Sequence, residues 1–231
     1  MSSHGISLQR SAPATPTALP APSVPAWDLR SALAEITIRA LSGTALAIFA
    51  YSAIKQWLAA PERVTLLLLV VAGCLTAGIA LFSRVPVKRD WRPHVLLCSL
   101  AGSYGFIAYQ LNPGTQLAPE MVGAALQVVG IVWQIYAKAS LRRSFGILPA
   151  NRGVVSYGAY RFMRHPMYLG YITTDLGFLA ANFAMQNVLV YGVLVVLQVS
   201  RILFEERLLS ADARYCEYRD IVRYRLIPKV F

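Results

Sequence analysis

A His-Pro dipeptide flanked by arginines and aromatic residues is the strongest chemical signal in the sequence. It lies within Gly158–Gly170, where Arg164 and His165 come directly before Pro166, and Tyr168 follows. Proline lacks a backbone N–H and suits the first turn of a helix, so the pattern predicts a helix that begins at Pro166 with His165 at its N-cap. The imidazole and the free N–H groups of that helix end can hold an anionic or polar ligand group. An equally good interpretation is that the basic and aromatic residues only anchor the chain at a membrane surface.

A second polar group stands near the C-terminal end of a long apolar run. Gln198, Arg201 and Glu205 are three and four residues apart, so a helix places them on one face. Charged groups beside an apolar helix are costly unless they pair or line a polar cavity, which makes Arg201 and Glu205 candidates for a functional site. The alternative is a salt bridge between the two at the point where the helix leaves the membrane.

Asp175 is the only acidic residue within the apolar run that follows the His-Pro dipeptide, and Thr173 and Thr174 stand beside it. It either lines the same cavity as Arg201 and Glu205 or lies close enough to the interface to be solvated. His94 follows a proline at the start of another apolar run, and we interpret it as an interfacial residue.

Several familiar kinds of site are not predicted. The three cysteines form no CxxC pair, and no group of Cys, His and Asp has the spacing of metal ligands, so neither a disulfide framework nor a metal site is expected. No GxSxG elbow occurs, and no Gly-rich loop follows a strand. A nucleotide-type cofactor would therefore have to bind without a Rossmann domain.

The composition excludes an ordinary soluble domain. Of 231 residues, 56% are hydrophobic and only 14% are charged, whereas soluble domains carry about 25% charged residues. The 22 Lys and Arg against 11 Asp and Glu give a net charge of +11. These basic residues lie between apolar segments and not on a solvated face, so they indicate membrane topology and no nucleic-acid partner.

The apolar runs predict an all-α membrane protein with five to six transmembrane helices, the last two forming a helical hairpin. Each run approaches the length of about 20 residues that a bilayer requires. The predicted spans are Leu33–Leu58, Val64–Phe82, His94–Leu111, Glu120–Ala139 and two helices within Tyr168–Phe204 that are broken near Asn182–Asn187. A long basic connection, Lys138–His165, precedes that pair.

The distribution of Lys and Arg predicts the orientation. The segments near Arg84–Arg92 and Lys138–Arg164 and the C-terminal tail are rich in arginine, whereas Leu111–Pro119 has no basic residue. The positive-inside rule therefore places both termini in the cytoplasm, and we expect an integral protein of a bacterial inner membrane. Residues 1–28 are rich in Pro and Ala and are expected to be a disordered tail. Residues 29–231 then form a single membrane domain.

With these residues in view, the sequence resembles the isoprenylcysteine carboxyl methyltransferase family and the neighbouring phospholipid methyltransferases. Three blocks carry the resemblance in the same order: Gly158–Gly170, the Arg201-x-x-x-Glu205-Glu206 segment, and a closing part with Tyr215-Cys-Glu-Tyr218 and Val222-Arg-Tyr-Arg-Leu-Ile-Pro228. The likeness covers roughly the last 90 residues of the chain.

The resemblance implies an integral membrane enzyme that transfers a methyl group from S-adenosyl-L-methionine, bound in about residues 140–231, to a lipophilic or prenylated acceptor. It implies that Arg201 faces the acceptor and that Glu205 contacts the cofactor, both as catalytic residues. The other cofactor-binding residues that it implies are Arg152, Gly153, Val154, Val155, Tyr160, His165, Pro166, Met167 and Tyr168.

The chemistry of the acceptor stays open at this point. A carboxylate is already ionised at neutral pH and needs no base, and Arg201 suits it as a bidentate partner. A lipid amine would need a base to remove its proton, and Glu205, Glu206 and Asp175 are the candidates. Two further alternatives are an NADPH-dependent sterol or steroid reductase, whose C-terminal region is similar, and a membrane scaffold without activity.

Overall fold

The described chain is a bundle of α-helices. The computed structural model describes residues 29–81, 92–141, 153–227 and 230. Within them the only strand-like pairing is an isolated bridge between Thr115 and Phe183. The helices are α1 (Leu29–Ala59), α2 (Val64–Leu81), α3 (Pro93–Tyr104), α4 (Glu120–Leu141), α5 (Pro166–Ala181), α6 (Met185–Leu209) and α7 (Ala213–Ile221). The prediction of an all-α fold is therefore confirmed, and α5 and α6 form the predicted hairpin.

Two boundaries differ from the predictions. The third apolar run is not one α-helix, because α3 ends at Tyr104 and the chain tightens into a 3-10 turn over Gly105–Ala108. Helix α4 extends to Leu141, so Lys138 lies in its last turn and not in the connection that follows. The predicted tail 1–28 and the basic segment 84–91 lie outside the described residues.

Among the described residues, the length and composition of two helices, α4 and α6, are sufficient for crossing a bilayer, and two apolar helical stretches, Val64–Thr76 and Pro93–Ala108, are shorter. This agrees with a protein that associates with a membrane, while the number of five to six spans stays a prediction. Both α4 and α6 end at the end of the bundle where α5 begins, which we call the His165 end. The opposite end, where α1 is followed by α2, is called the Arg63 end.

Small residues let α4 and α5 approach closely. A Cβ atom at Gly130 would lie 2.6 Å from the backbone nitrogen of Thr174, and one at Gly177 would lie 2.6 Å from the carbonyl oxygen of Gly123. Glycines at such contacts are typical of helix pairs that pack backbone against backbone in membranes. The close approach brings Gln134 of α4 against α5, where its Nε2 donates to Thr174 Oγ1 at 2.9 Å.

Buried polar side chains join the helices at the Arg63 end. Arg63 Nη2 donates to Asn182 Oδ1 at 2.7 Å, and Asn182 Nδ2 donates to Thr65 Oγ1 at 2.9 Å. Glu120 Oε1 accepts from the backbone nitrogen and the hydroxyl of Thr65 at 2.8 and 2.6 Å. Because these residues lie in the α1–α2 and α5–α6 connections and in the first turns of α2 and α4, the hydrogen bonds fix the helix ends farthest from the candidate site.

Candidate functional site

The start of α5 has the conformation that the His-Pro dipeptide predicts. His165 is the N-cap residue and Pro166 occupies the first turn. Trp133 of α4 donates from Nε1 to the carbonyl oxygen of Pro166 at 2.9 Å, which fixes this helix end against α4. Just before it, Gly158 has φ of +63° and begins a 3-10 turn, a backbone conformation that glycine adopts without strain.

The C-terminal segment is hydrogen-bonded to this block through the backbone. The Arg164 N–H donates to the carbonyl oxygen of Tyr224 at 2.9 Å, and the His165 N–H donates to that of Arg225 at 2.8 Å. Tyr218 of α7 donates its hydroxyl to the carbonyl oxygen of Tyr160 at 2.6 Å. Burial raises the pKa of the Tyr218 phenol, so it remains a neutral donor at physiological pH. The tail therefore forms one wall of the site.

Glu206 is the centre of an ion network that holds this wall. Its Oε1 accepts from Arg164 Nε at 2.7 Å and lies 3.3 Å from His165 Nε2, while its Oε2 accepts from Arg225 Nε at 2.7 Å. Arg164 Nη1 donates in addition to the carbonyl oxygens of Val222 and Arg223, at 2.9 and 2.8 Å. Charge-assisted bonds of this kind are the strong ones in proteins. Glu206 thus links α6, the start of α5 and the C-terminal segment.

Glu205, the neighbouring glutamate, shares His165 with Glu206 but otherwise contacts different groups. It accepts a short hydrogen bond from the Tyr168 hydroxyl, and its Oε2 lies 3.7 Å from His165 Nδ1. The Arg201 guanidinium carbon lies 5.2 Å from the centre of the Tyr168 ring, within cation–π range. Arg201 is 2% exposed, and its Nη1 donates to Gln198 Oε1 at 3.2 Å. Glu205 therefore contacts the hydroxyl of Tyr168, and Arg201 lies over the ring of the same tyrosine.

A cavity with a mixed polar and apolar lining lies beside this group, among helices α2 to α6. Gln134, Asp175 and Gln198 contribute polar side chains to its lining, and Leu69 and Phe106 contribute apolar ones. Gln198 also donates to the carbonyl oxygen of Gly102 at 2.7 Å. Asp175 thus lines a cavity together with Gln198, whereas Arg201 and Glu205, with which the sequence grouped it, are not among the described residues that line it.

The structure brings most of the predicted site residues to the His165 end. Tyr160, Met167 and Tyr168 are buried in one core cluster, against which Val154 and Val155 pack. Gly153 opens the described segment with φ of +96°, and a Cβ there would meet no atom within 4 Å. Arg152 lies outside the described residues. His94 does not join the site residues but packs its ring on Phe204 of α6, with centroids 5.7 Å apart.

Three charged residues in or next to the site, Arg164, Arg225 and Lys138, were not identified as site residues from the sequence. Arg225 comes from a tail whose docking depends on contacts distant in sequence, and Arg164 was interpreted only as a possible interfacial anchor. Lys138 was assigned to a connection, yet it is 2% exposed inside the bundle. The sequence contained one signal for the position of Lys138. Gln134 and Lys138 are four residues apart, so a helix places both on the same face.

The site's groups fit a soluble cationic cofactor such as S-adenosyl-L-methionine. The Glu205 side chain is 20% exposed while that of Glu206 is 9% exposed, so Glu205 is the carboxylate more accessible from solvent. Its charge and the neighbouring Tyr168 ring both favour a cation. The Tyr215 hydroxyl in the adjoining cluster is buried, and no hydrogen-bond partner occurs for it among the described residues. It is a polar group that a ligand can satisfy.

Residues 119–212 match the family model described as phospholipid methyltransferase. The matched segment runs from the residue before α4 to Asp212, so it contains Arg164, His165, Arg201 and both glutamates but not the C-terminal segment. The resemblance predicted from the sequence is confirmed over this segment, which covers less than half of the chain. No curated protein matches the sequence.

Proposed function

We propose, from the phospholipid methyltransferase match over residues 119–212, that this chain transfers a methyl group from S-adenosyl-L-methionine to a lipophilic acceptor, most favourably a carboxylate, at the His165 end. The observation that carries the proposal is the convergence of Glu205, Arg201 and Tyr168, with His165 beside them. It brings a carboxylate that favours a cationic donor next to a guanidinium that favours an anionic acceptor.

The proposal includes a membrane setting. Large apolar side chains on α1, α4 and α6 are exposed, which is unfavourable in water and expected against lipid. They include Ile36, Leu41, Ile48, Val129, Val132, Leu189, Val193 and Val196. Arginines accumulate at the His165 end, at Arg161, Arg164 and Arg207, so the positive-inside rule assigns that end to the cytoplasmic face. A soluble cofactor then enters from the cytoplasm and the acceptor enters laterally from the bilayer.

The residues that would hold the cofactor are Glu205, Tyr168 and His165, with Tyr160, Met167 and the segment from Gly153 forming the surrounding wall. When bound, the sulfonium would supply an activated methyl group to a nucleophile, with a neutral thioether as the leaving group. The protein's own contribution is positioning and exclusion of water. The buried cluster and the docked tail serve both, because they surround the polar groups with apolar side chains.

Arg201 has the properties of an acceptor-binding residue. Its guanidinium is buried and held against Tyr168, so it is preorganised for a carboxylate, with little further rotamer freedom to lose. A carboxylate oxygen would attack the methyl carbon with its own electron pair, the methyl–sulfur bond would break, and the thioether would leave as neutral S-adenosylhomocysteine. The carboxylate releases no proton, so the site needs no general base. This agrees with Glu205 and Glu206 both being engaged with donors.

One observation favours a second acceptor class. Asp175 lines the cavity beside Gln198, and a carboxylate there could bind an amine and take its proton. A lipid amine is therefore the second candidate acceptor. The reductase alternative has no comparable support, since the matched family transfers methyl groups.

The test of the donor is calorimetric titration of the full-length protein in nanodiscs with S-adenosylhomocysteine and, separately, with NADPH. We expect saturable binding of S-adenosylhomocysteine alone. Glu205→Ala should weaken it by roughly tenfold or more, because a charge-assisted contact is lost. Glu217→Ala, which changes an exposed glutamate on α7, should leave it unchanged. Binding of NADPH alone would overturn the proposal.

The test of the acceptor site separates Arg201 from the donor. Arg201→Ala should reduce methyl transfer to a lipid extract, and it should weaken the affinity for S-adenosylhomocysteine less than Glu205→Ala does, because Arg201 reaches the donor site only through Tyr168. Arg207→Ala is the matched control, since Arg207 is exposed in the last turn of α6. Lipids from cells with and without the gene, compared by mass spectrometry, should differ by the mass of one methylene. A strong loss of cofactor affinity with Arg201→Ala would show that Arg201 acts on the donor.

A further inference from the structure

The C-terminal segment that docks at the His165 end has a second side, which faces away from the bundle. We call residues 221–230 the docked segment. Val222 and Leu226 are buried in the core cluster of the site. Ile221 and Val230, in contrast, are 81% and 77% exposed, more than any other large apolar side chain that the structure describes, and Ile227 is exposed as well. Several exposed apolar side chains within one short segment indicate a contact surface.

The docked segment is also basic. Its sequence contains Arg223, Arg225 and Lys229 and no Asp or Glu. The Arg223 side chain is exposed. The acidic residue that comes just before the segment, Asp220, lies 3.9 Å from Arg219 Nε, so its charge is partly compensated. Apolar and basic side chains mixed in this way are typical of segments that bind the surface of an anionic membrane.

Two residues of the neighbouring turn extend this surface. Arg161 and Phe162 are both exposed, and the Arg161 guanidinium carbon lies 4.5 Å from the centre of the Phe162 ring. They stand between Tyr160, whose carbonyl oxygen bonds to α7, and Arg164, whose backbone nitrogen bonds to the docked segment. A further basic group and an aromatic ring are therefore next to the docked segment, at the end that the positive-inside rule assigns to the cytoplasmic face.

We propose that the docked segment lies on the anionic surface of the cytoplasmic leaflet, with its exposed apolar side chains among the lipid headgroups and its basic side chains against their phosphates. This rests on the membrane setting of the proposed function. The partner is a bilayer surface because apolar and basic side chains are exposed together. In addition, α4 and α6, whose exposed apolar sides were assigned to lipid, end at the same end of the bundle.

Such a contact connects the membrane to the closing of the site. The other side of the docked segment forms the wall that the ion pair of Arg225 with Glu206 holds, at 2.7 Å. A lipid surface that binds only the docked arrangement raises the population of that arrangement. The basic residues contribute to this effect through the negative potential of the leaflet, and salt screens their contribution.

The experiment compares hydrogen exchange of the full-length protein in nanodiscs of phosphatidylcholine alone and in nanodiscs that also contain phosphatidylglycerol. Exchange is followed in peptides that cover residues 160–168 and 218–227, because backbone hydrogen bonds join these two stretches.

Two variants change the lipid-facing side without touching the ion network. Arg223→Ser removes one exposed charge, and the double variant Ile221→Ser with Ile227→Ser removes two exposed apolar side chains. The matched controls are Lys55→Ser and Leu117→Ser, which change an exposed lysine and an exposed leucine at the Arg63 end.

We expect phosphatidylglycerol to slow exchange of the wild type in these peptides by roughly tenfold, the scale of one to two basic residues at a negative surface. Arg223→Ser should reduce this lipid effect to about threefold or less, and added salt should reduce it further. The double variant should exchange faster in both kinds of nanodisc, because the apolar contact does not depend on lipid charge. Both control variants should behave as the wild type does.

Equal exchange of the wild type in the two kinds of nanodisc would overturn the proposal, and so would a lipid effect that Arg223→Ser and Lys55→Ser reduce equally. Slower exchange that requires two copies of the protein in one nanodisc, in either lipid, would assign the surface to a second copy and overturn it as well. Binding of S-adenosylhomocysteine is titrated on the same samples. Its presence without a lipid effect refutes the lipid contact alone, whereas its absence with the lipid effect retained refutes the proposed methyl transfer and supports the contact.

Discussion

Replacing Glu206 with Gln is the most direct test of how the site is held together. The substitution keeps the shape of the side chain and removes its charge. In the structure that charge accepts from Arg164 and Arg225 and lies beside His165. Arg164 in turn donates to two carbonyl oxygens of the C-terminal segment. We therefore expect Glu206→Gln to release this segment, and to do so without unfolding the helix bundle.

The size of the effect follows from burial. The Arg164 and Glu206 side chains are 6% and 9% exposed, so the pair is buried. Breaking a buried pair by removing one partner costs about 3–5 kcal/mol, and glutamine keeps one acceptor oxygen, so we take about 3 kcal/mol. The Arg225 side chain is 37% exposed, so solvent screening limits the contribution of its ion pair with Glu206 to at most about 1 kcal/mol. A loss of about 3 kcal/mol shifts the docking equilibrium by roughly 150-fold.

Hydrogen exchange measured by mass spectrometry reports this equilibrium. The N–H groups of Arg164 and His165 are bonded to carbonyl oxygens of the tail, so their exchange depends on docking. Glu206→Gln should accelerate exchange in peptides that cover residues 160–168 and 218–227 by roughly 100-fold, given the equilibrium shift. Glu217→Gln, at an exposed position of α7, is the control. Unchanged exchange in Glu206→Gln would refute the assignment of docking to this ion network.

Two further predictions address single contacts. A Cβ at Gly102 would lie 2.9 Å from Arg201 Cδ, so Gly102→Ala should displace Arg201 and reduce methyl transfer to a lipid extract several-fold while S-adenosylhomocysteine binding is retained. Gly192→Ala is the control, because a Cβ there would meet no atom of the described residues within 4 Å. Equal methyl-transfer rates of Gly102→Ala and the wild type would contradict the contact. Tyr218→Phe removes the hydrogen bond to the carbonyl oxygen of Tyr160 and should weaken tail docking by about 1 kcal/mol, measured by the same exchange. Burial raises the pKa of the Tyr218 phenol above its usual value of about 10, so the phenol keeps its proton and its hydrogen bond up to at least pH 10. The bond is lost only as the pH rises through the raised pKa. Tail docking should therefore not change between about pH 7 and 9.

Local patterns in the sequence predicted the helices well. Apolar run length and proline positions are properties of neighbouring residues, and the starts of α2, α4 and α5 follow from them to within two residues. The position of His165 at an N-cap is predicted for the same reason, since it depends only on Pro166. The 3-10 turn at Gly105–Ala108 does not follow from such local patterns. A Cβ at Gly105 would lie 2.7 Å from Leu194 Cδ2, and this close packing against α6 is a tertiary contact.

The composition of the site was less accessible to prediction. The grouping of Arg201 with Glu205 follows from helix periodicity, whereas their meeting on Tyr168 requires the α5–α6 hairpin to close in a particular register. Arg225 lies 19 residues beyond Glu206, across a helix and a turn whose path no periodicity specifies. The burial of Lys138 depends on the close approach of α4 to α5, which is a consequence of glycines distributed over both helices. The roles of all these residues in binding stay predictions.

The two adjacent glutamates have different tasks because successive helix positions point about 100° apart. Glu205 therefore faces Tyr168, while Glu206 faces Arg164 and Arg225. Glu205→Gln should accordingly weaken S-adenosylhomocysteine binding without changing exchange in residues 218–227, whereas Glu206→Gln should change both, because an undocked tail no longer closes the site. If the two variants had the same pair of effects, the separation of ligand binding from tail docking would be wrong, and Glu205 and Glu206 would have to act as one negatively charged group.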